Sequence, residues 1–255
     1  MIGLKSIKSK SIKQLSGKWN TLVIINFMCL ISIYFISFSS VKTTNRLINF
    51  ILEILSIFII CITTKLGYKI SRDAKKPFNY KIFKKKELIN LFIYILINLV
   101  LIHIINIIFI LIESTIWEVD ISSRGFDILT VLSITLIKKT LFNFIILSIY
   151  LFSIIYVCLG FIFGYYIIFR NNKKINIIKI VNLSFNIIKG HRIEFLYFIL
   201  PFTILAFMSI FTFGIGFLWL NSYYQVSKAN YYKSLLSYKK EILEKKNRII
   251  RTIEK

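Results

Sequence analysis

The feature that most constrains this chain is the alternation of long apolar runs with short segments rich in lysine and arginine. Of its 255 residues, 56% are hydrophobic and only 18% are charged, and few of the charges fall inside the apolar runs. A helix that crosses the roughly 30 Å hydrocarbon core of a membrane needs about 20 apolar residues, because each residue adds about 1.5 Å. The alternation therefore predicts an all-α, polytopic bundle of transmembrane helices.

The apolar runs predict six spans within one transmembrane domain, 1–232, followed by a basic cytoplasmic helix, 233–255. The spans cover about 19–41, 47–64, 88–112, 140–169, 193–211 and 215–232. The last two come from one run that is too long for a single helix. Glycines within 212–216 favour a turn, which is why we divide this run. A re-entrant hairpin over 195–227, with five spans in all, is the alternative.

Basic residues gather on one side of the predicted membrane. With both termini inside, 29 of the 34 lysines and arginines fall in cytoplasmic segments, whereas the outer segment 113–139 contains several carboxylates. Positive charge next to spans marks the cytoplasmic side, so this distribution predicts cytoplasmic termini. The net charge of +23 is spread over separate membrane-flanking segments. This spread disfavours nucleic acid as a partner and predicts contact with the bilayer and with anionic lipid headgroups.

Two cytoplasmic segments have the pattern of amphipathic interfacial helices. In 175–189 polar residues share one helical face and apolar residues the other, so the apolar face is expected among acyl chains. The polar face has Lys179, Asn182, Asn186 and Lys189, and the apolar face has Ile177, Ile178, Val181, Phe185 and Ile188. A weaker element before the first span has Leu4, Ile7, Ile12 and Leu15.

Both ends of the chain contain motifs that resemble a known family. The first motif ends the first basic segment and consists of Leu15, Gly17 and Trp19. The second motif consists of Ser184, Lys189, Gly190, His191, Arg192 and Phe195. The third is the run Gly-Ile-Gly-Phe-Leu-Trp-Leu, which begins at Gly214. These motifs resemble the DUF975 family of bacterial integral membrane proteins. Ile188 stands where that family has methionine, and the middle of the chain, 70–170, is similar in hydropathy alone. The resemblance implies a bacterial plasma-membrane protein and no particular activity.

The sequence contains none of the common catalytic motifs. Dinucleotide-binding, Walker A, zinc-protease and serine-hydrolase motifs do not occur in it. Its two histidines are too far apart for a His/Cys metal-ligand spacing. The cysteines, Cys29, Cys61 and Cys158, lie within predicted spans, where thiols act as small apolar fillers. We therefore expect no enzyme activity, no cofactor and no metal.

Polar residues inside the spans form a candidate intramembrane site: Glu53, His103 and Asn106. An ionisable group in hydrocarbon costs about 2.5–3.5 kcal/mol or more, so Glu53 is expected to face protein or water. Glu53 and His103 lie at similar predicted depths on sequential spans. One interpretation is a protonatable or cation-binding site, which would suit a small transporter or channel subunit. The favoured interpretation is interhelical hydrogen bonding.

The turn formed by Lys189, Gly190, His191 and Arg192 is a second candidate site. Two bases and a glycine that permits close backbone approach suit binding of lipid phosphates. The simpler interpretation is a positive-inside anchor where an interfacial helix bends into a span. The sequence thus favours a non-enzymatic envelope component that binds lipid or a partner, with transport as the alternative. It does not identify protein partners.

Overall fold

The computed structural model describes residues 3–42, 45–73, 83–118, 128–170, 176–212 and 214–253. These residues are helical almost throughout and contain no strand, which confirms the predicted all-α fold. The helices are α1 (Leu4–Leu15), α2 (Trp19–Lys42), α3 (Arg46–Ser71), α4 (Lys85–Glu118), α5 (Ile128–Phe161), α6 (Gly164–Arg170), α7 (Ile177–Ile188), α8 (Arg192–Ile210) and α9 (Ile215–Ile253).

Five helical segments are long and apolar enough to cross a membrane. They are Trp19–Ser39, Leu47–Ser71, Lys85–Ile112, Phe144–Arg170 and Arg192–Ile210. These segments indicate a multi-pass membrane protein and confirm the polytopic helical class. The predicted sixth span, 215–232, is not among them. It forms the first part of α9, where Asn221, Gln225 and Lys228 lower the hydropathy.

Asparagine caps and a glycine turn set several helix boundaries. The Asn45 side chain accepts a hydrogen bond from the Leu47 amide at 3.0 Å at the start of α3, and Asn176 accepts one from the Ile178 amide at 3.2 Å at the start of α7. Such caps satisfy amides that have no partner within the helix. Between α8 and α9, Gly214 has a φ of +80°, a conformation that glycine adopts without strain.

The chain divides into two compact units. Unit 1 comprises Met1–Ile95 and Phe163–Lys255, and unit 2 comprises Leu96–Ile162. In unit 2, the Tyr150 hydroxyl donates a hydrogen bond to Asn106 Oδ1 at 2.8 Å, and the Tyr150 ring stacks on Phe109 with 4.3 Å between centroids. These contacts join α4 to α5.

Helix α9 is the common partner of four other helices in unit 1. It contacts α1, α2, α3 and α8. One buried cluster takes a single residue from each of four helices: Leu15 from α1, Leu22 from α2, Ile70 from α3 and Val226 from α9. Its members are fully enclosed, so four helices share this small apolar core.

A second core is aromatic and joins α6, α8 and α9. The Phe163 ring lies 5.3 Å from Phe195 and 5.6 Å from Tyr232, measured between centroids. Tyr231 lies 5.1 Å from Phe195 and 5.0 Å from Phe198. Ring pairs at these separations add attraction beyond the burial of their area.

Both amphipathic helices bury part of their surface in protein, and the contact of their remaining apolar side chains with acyl chains stays a prediction. Helix α1 buries Ile7, Ser11 and Leu15, and α1 packs on α9. Helix α7 packs on α6 and buries Ile180, Ser184, Ile187 and Ile188. The buried side of α7 is thus displaced from the predicted apolar face, and Ile178 of that face is 73% exposed.

Candidate functional site

The predicted intramembrane residues are distributed over both units. Glu53 lies exposed on α3 in unit 1, whereas His103 and Asn106 lie half-buried on α4 in unit 2. Asn106 accepts the hydrogen bond from Tyr150 described above. This bond agrees with the structural interpretation of Asn106, because it joins two helices within hydrocarbon. An association of Glu53 with His103 stays a prediction.

The turn from Lys189 to Arg192 is fixed by contacts with α8 and α9. The Lys239 ammonium donates hydrogen bonds to the carbonyl oxygens of Asn186 and, at 3.4 Å, of Lys189. His191 Nδ1 lies 2.8 Å from a Glu194 carboxylate oxygen, and the imidazole meets the Tyr238 ring edge-on. The His191 side chain is therefore engaged within the protein.

Lys189 and Gly190 remain exposed in the same turn. Gly190 has a φ of +86°, and a Cβ atom placed there would meet nothing within 4 Å. The space that a side chain at Gly190 would occupy is therefore empty. An anion could approach it next to the Lys189 side chain.

A group of charged side chains that sequence reasoning missed lies at the carboxyl end of α3. We call Lys10, Arg72, Asp73 and Lys233 the α3-end cluster; it has three cations and one carboxylate. The Lys233 ammonium donates a hydrogen bond to the carbonyl oxygen of Ser71. The pKa of Lys233 is lowered to about 8, chiefly by burial and also by the positive charges of Lys10 and Arg72, while the Asp73 carboxylate acts in the opposite direction.

Gln14 and Asn230 hold the elements of the α3-end cluster together. Gln14 Nε2 donates to the Ser71 carbonyl oxygen and to Asp73 Oδ1, both at 3.0 Å. Asn230 Nδ2 donates to Ser11 Oγ at 2.9 Å and to Gln14 Oε1 at 2.8 Å. These bonds dock α1 on α3 and α9. No local motif could reveal the cluster, because its members come from three segments far apart in sequence.

A buried ion pair joins α3 to the start of α4. The ammonium of Lys65 contacts the Glu87 carboxylate, and the two side chains are only 6% and 7% exposed. Glu87 also accepts a hydrogen bond from the Lys84 amide at 3.0 Å. The Lys65 ammonium lies 4.6 Å from the Phe83 ring centroid and 5.4 Å from that of Phe169. The amine is thus enclosed by its counter-ion and two aromatic rings, an arrangement suited to holding helices together.

Polar side chains along α9 are paired with α2 and α3. Asn26 Nδ2 donates to Ser222 Oγ at 2.7 Å, and Asn221 Nδ2 donates to Asn26 Oδ1 at 3.2 Å. Thr64 Oγ1 donates to Gln225 Oε1 at 3.2 Å. These bonds explain how a helix as polar as α9 lies inside the bundle, because its buried amides find partners there.

The described residues contain no group of three or more His, Cys, Asp or Glu side chains placed to hold a metal ion. No curated protein and no solved structure matches the chain. A family model described as "Protein of unknown function (DUF975)" matches residues 1–239. This match covers nearly the whole chain and confirms the resemblance seen at its two ends. The chain belongs to the DUF975 family.

Proposed function

We propose that this protein is a non-enzymatic component of a bacterial plasma membrane that binds anionic phospholipid headgroups. Its amino and carboxyl termini lie in the cytoplasm, where the basic segments meet the inner leaflet. The observation that carries this proposal is the α3-end cluster, in which Lys233 lies within the electrostatic influence of two further cations, Lys10 and Arg72, and of a single carboxylate, Asp73.

The position of the cluster suits a lipid phosphate. The candidate span Leu47–Ser71 ends next to Arg72, so the cluster lies at the level expected for headgroups. Gln14 and Lys233 both donate to the Ser71 carbonyl oxygen, which reduces the negative potential at this helix end. A phosphate would relieve the mutual repulsion of the three cations. Each lysine or arginine near an anionic surface contributes about 1 kcal/mol to such binding.

The turn at Lys189 and Gly190 offers a second contact for headgroups. No atom lies within 4 Å of the Cβ position at Gly190, and Lys189 is exposed beside it. His191 is engaged with Glu194, so we assign the phosphate contact to Lys189 and the Gly190 amide. Arg192 continues the basic surface into α8.

Native mass spectrometry of the full chain in mild detergent tests the proposal. Equal amounts of phosphatidylglycerol and phosphatidylcholine are added, and the lipid retained on the protein is measured. We expect phosphatidylglycerol to be retained preferentially. Lys10→Gln and Arg72→Gln should each weaken its retention about fivefold, the equivalent of about 1 kcal/mol.

Lys240→Gln is the matched control, because it removes one positive charge from an 80% exposed side chain outside the cluster. It should leave the retention unchanged. Equal retention of both lipids by the unmodified protein would overturn the proposal. A loss in Lys240→Gln as large as that in Arg72→Gln would show a general charge effect and would overturn the assignment to the cluster.

A further inference from the structure

An apolar groove of about 350 Å³ opens on unit 1 between α2, α8 and α9. Trp19 lines it at the start of α2, Met208 near the end of α8, and Trp219 and Tyr223 on α9. The segments of α2 and α8 that border it belong to candidate spans. In a bilayer the groove therefore faces the hydrocarbon region.

The two hydroxyl groups of Ser209 and Thr212 in the groove wall are already hydrogen-bonded within α8 and the turn that follows it. Ser209 Oγ donates to the Leu205 carbonyl oxygen at 2.9 Å, and Thr212 Oγ1 donates to the Ser209 carbonyl oxygen at 2.9 Å. Thr212 Oγ1 also accepts a hydrogen bond from the Gly216 amide at 3.0 Å. The wall thus offers hydrocarbon and aromatic surface to an occupant, which suits an acyl chain and not a headgroup.

One end of the groove is basic. The Lys8 ammonium lies 5.4 Å from the Phe202 ring centroid, and the Phe202 ring lies 5.1 Å from Tyr223 in the groove wall. Lys18 directly precedes Trp19. In the part of the chain that the structure describes, neither lysine forms an ion pair. Thr212 at the end of the α8 turn and Gly216 at the start of α9 also line the groove.

We propose that this groove holds one acyl chain of an anionic phospholipid whose phosphate lies beside Lys8 and Lys18. The inference rests on the proposed function, since it assigns a tail site to the same class of lipid. It goes further in one respect: one lipid molecule is bound at a defined site and is distinct from the lipids that surround any membrane protein.

The tryptophans of the groove provide a direct test. The chain has three tryptophans, and Trp117→Phe leaves Trp19 and Trp219, which both line the groove. Bromine atoms on an acyl chain quench tryptophan fluorescence on contact. We expect phosphatidylglycerol with brominated chains to quench this variant in detergent, with saturation at one lipid per protein. Brominated phosphatidylcholine should require about a fivefold higher concentration to reach half of the maximal quenching.

A second variant reports on surrounding lipid. It combines Trp19→Phe, Trp117→Phe and Trp219→Phe with Phe207→Trp, which places the probe at a 65% exposed position on α8 outside the groove wall. Its quenching should rise gradually and show no headgroup preference. A monodisperse elution profile in size-exclusion chromatography checks that each variant is folded.

Two changes in the Trp117→Phe background address the two ends of the bound lipid. Leu205→Phe with Met208→Phe adds bulk at partly exposed wall positions, so it should abolish saturable quenching without disturbing the core. Lys8→Gln should raise the half-saturating concentration of phosphatidylglycerol about fivefold and leave that of phosphatidylcholine unchanged.

The outcomes separate this inference from the proposed function. Gradual quenching of Trp19 and Trp219, equal to that of the Phe207→Trp probe, would overturn the groove site even if phosphatidylglycerol is retained preferentially in mass spectrometry. Saturable quenching with equal response to both headgroups would overturn the assignment of Lys8. Elution as a dimer without quenching would show that a second copy of the chain fills the groove, and would also overturn the inference.

Discussion

The peptide carbonyl of Gln225 on α9 lies directly against Gly67 on α3. A Cβ atom at Gly67 would lie 2.8 Å from the Gln225 carbonyl carbon and 2.9 Å from its oxygen. The hydrogen bond between Thr64 and Gln225 lies one turn away on the same face of α3. This close approach sets the register of α9 against α3, so that Lys233 reaches the Ser71 carbonyl oxygen two turns further along α9.

Replacement of Gly67 by alanine should destabilise the protein by about 2 kcal/mol, because the added methyl group meets backbone that cannot rotate away. The higher helix propensity of alanine, about 1 kcal/mol, offsets only part of this loss. The measurement is the apparent melting temperature of the purified protein in detergent. Ile51→Ala, at a 47% exposed position on the same helix, is the control and should melt close to the unmodified protein. Equal melting of both variants would contradict the close contact.

Removal of the Glu87 charge should be among the most destabilising single changes. In Glu87→Gln the Lys65 ammonium keeps its charge in a site where both side chains are less than a tenth exposed. Loss of one partner of a buried pair costs about 3–5 kcal/mol, whereas replacing both partners by apolar residues is often neutral. Lys65→Met combined with Glu87→Leu should therefore recover most of the stability. A thermal-melting double-mutant cycle measures this, and additive losses in the double variant would show that the two residues act independently.

Lys233 should make stability depend on pH in the alkaline range. Its pKa is about 8 in the folded protein against a usual 10.5, so between these pH values the unfolded chain binds more protons. Lys233 therefore makes the free energy of unfolding rise as pH increases from 8 to 10.5, and below pH 8 its contribution is constant. Between pH 8 and 10.5 the melting temperature of the unmodified protein should therefore rise relative to that of Lys233→Gln. Lys240→Gln serves as the control, and parallel pH profiles for the unmodified protein and Lys233→Gln would refute the altered pKa.

The distribution of basic residues predicts the sidedness of the chain. In a background without its three native cysteines, a membrane-impermeant maleimide should label Ser122→Cys in intact cells. It should label Lys240→Cys only after the cells are permeabilised. Labelling of Lys240→Cys in intact cells would reverse the proposed orientation and would move the α3-end cluster away from the inner leaflet.

Hydropathy and family motifs were sufficient to predict the helical class, the membrane-spanning character and the family. Apolar runs reveal spans because backbone groups in hydrocarbon must bond within a helix. The glycines near Gly214 correctly predicted the turn between α8 and α9. The predicted sixth span, 215–232, stays a prediction, since polar residues from Asn221 onward lower the hydropathy of this part of α9. These residues are buried because α2 and α3 supply partners such as Asn26 and Thr64.

The α3-end cluster and the Lys65–Glu87 pair could not be predicted, because both depend on which helices meet. Lys10 and Lys233 are separated by most of the chain, and only the docking of α1 on α9 brings them together. Amphipathic periodicity in α1 shows that one side is apolar. It does not distinguish lipid from a neighbouring helix as the surface covered by that side.

The place of α9 in the bundle has a consequence for how the protein is made. During synthesis α1, α2, α3 and α8 leave the ribosome before the helix that contacts all of them. Asn26, Thr64 and Gln14 therefore enter the membrane or its edge without the α9 partners that they have in the finished fold. A nascent chain that ends before α9 lacks Ser222, Gln225 and Asn230, and with them these pairings and the Val226 contribution to the shared core.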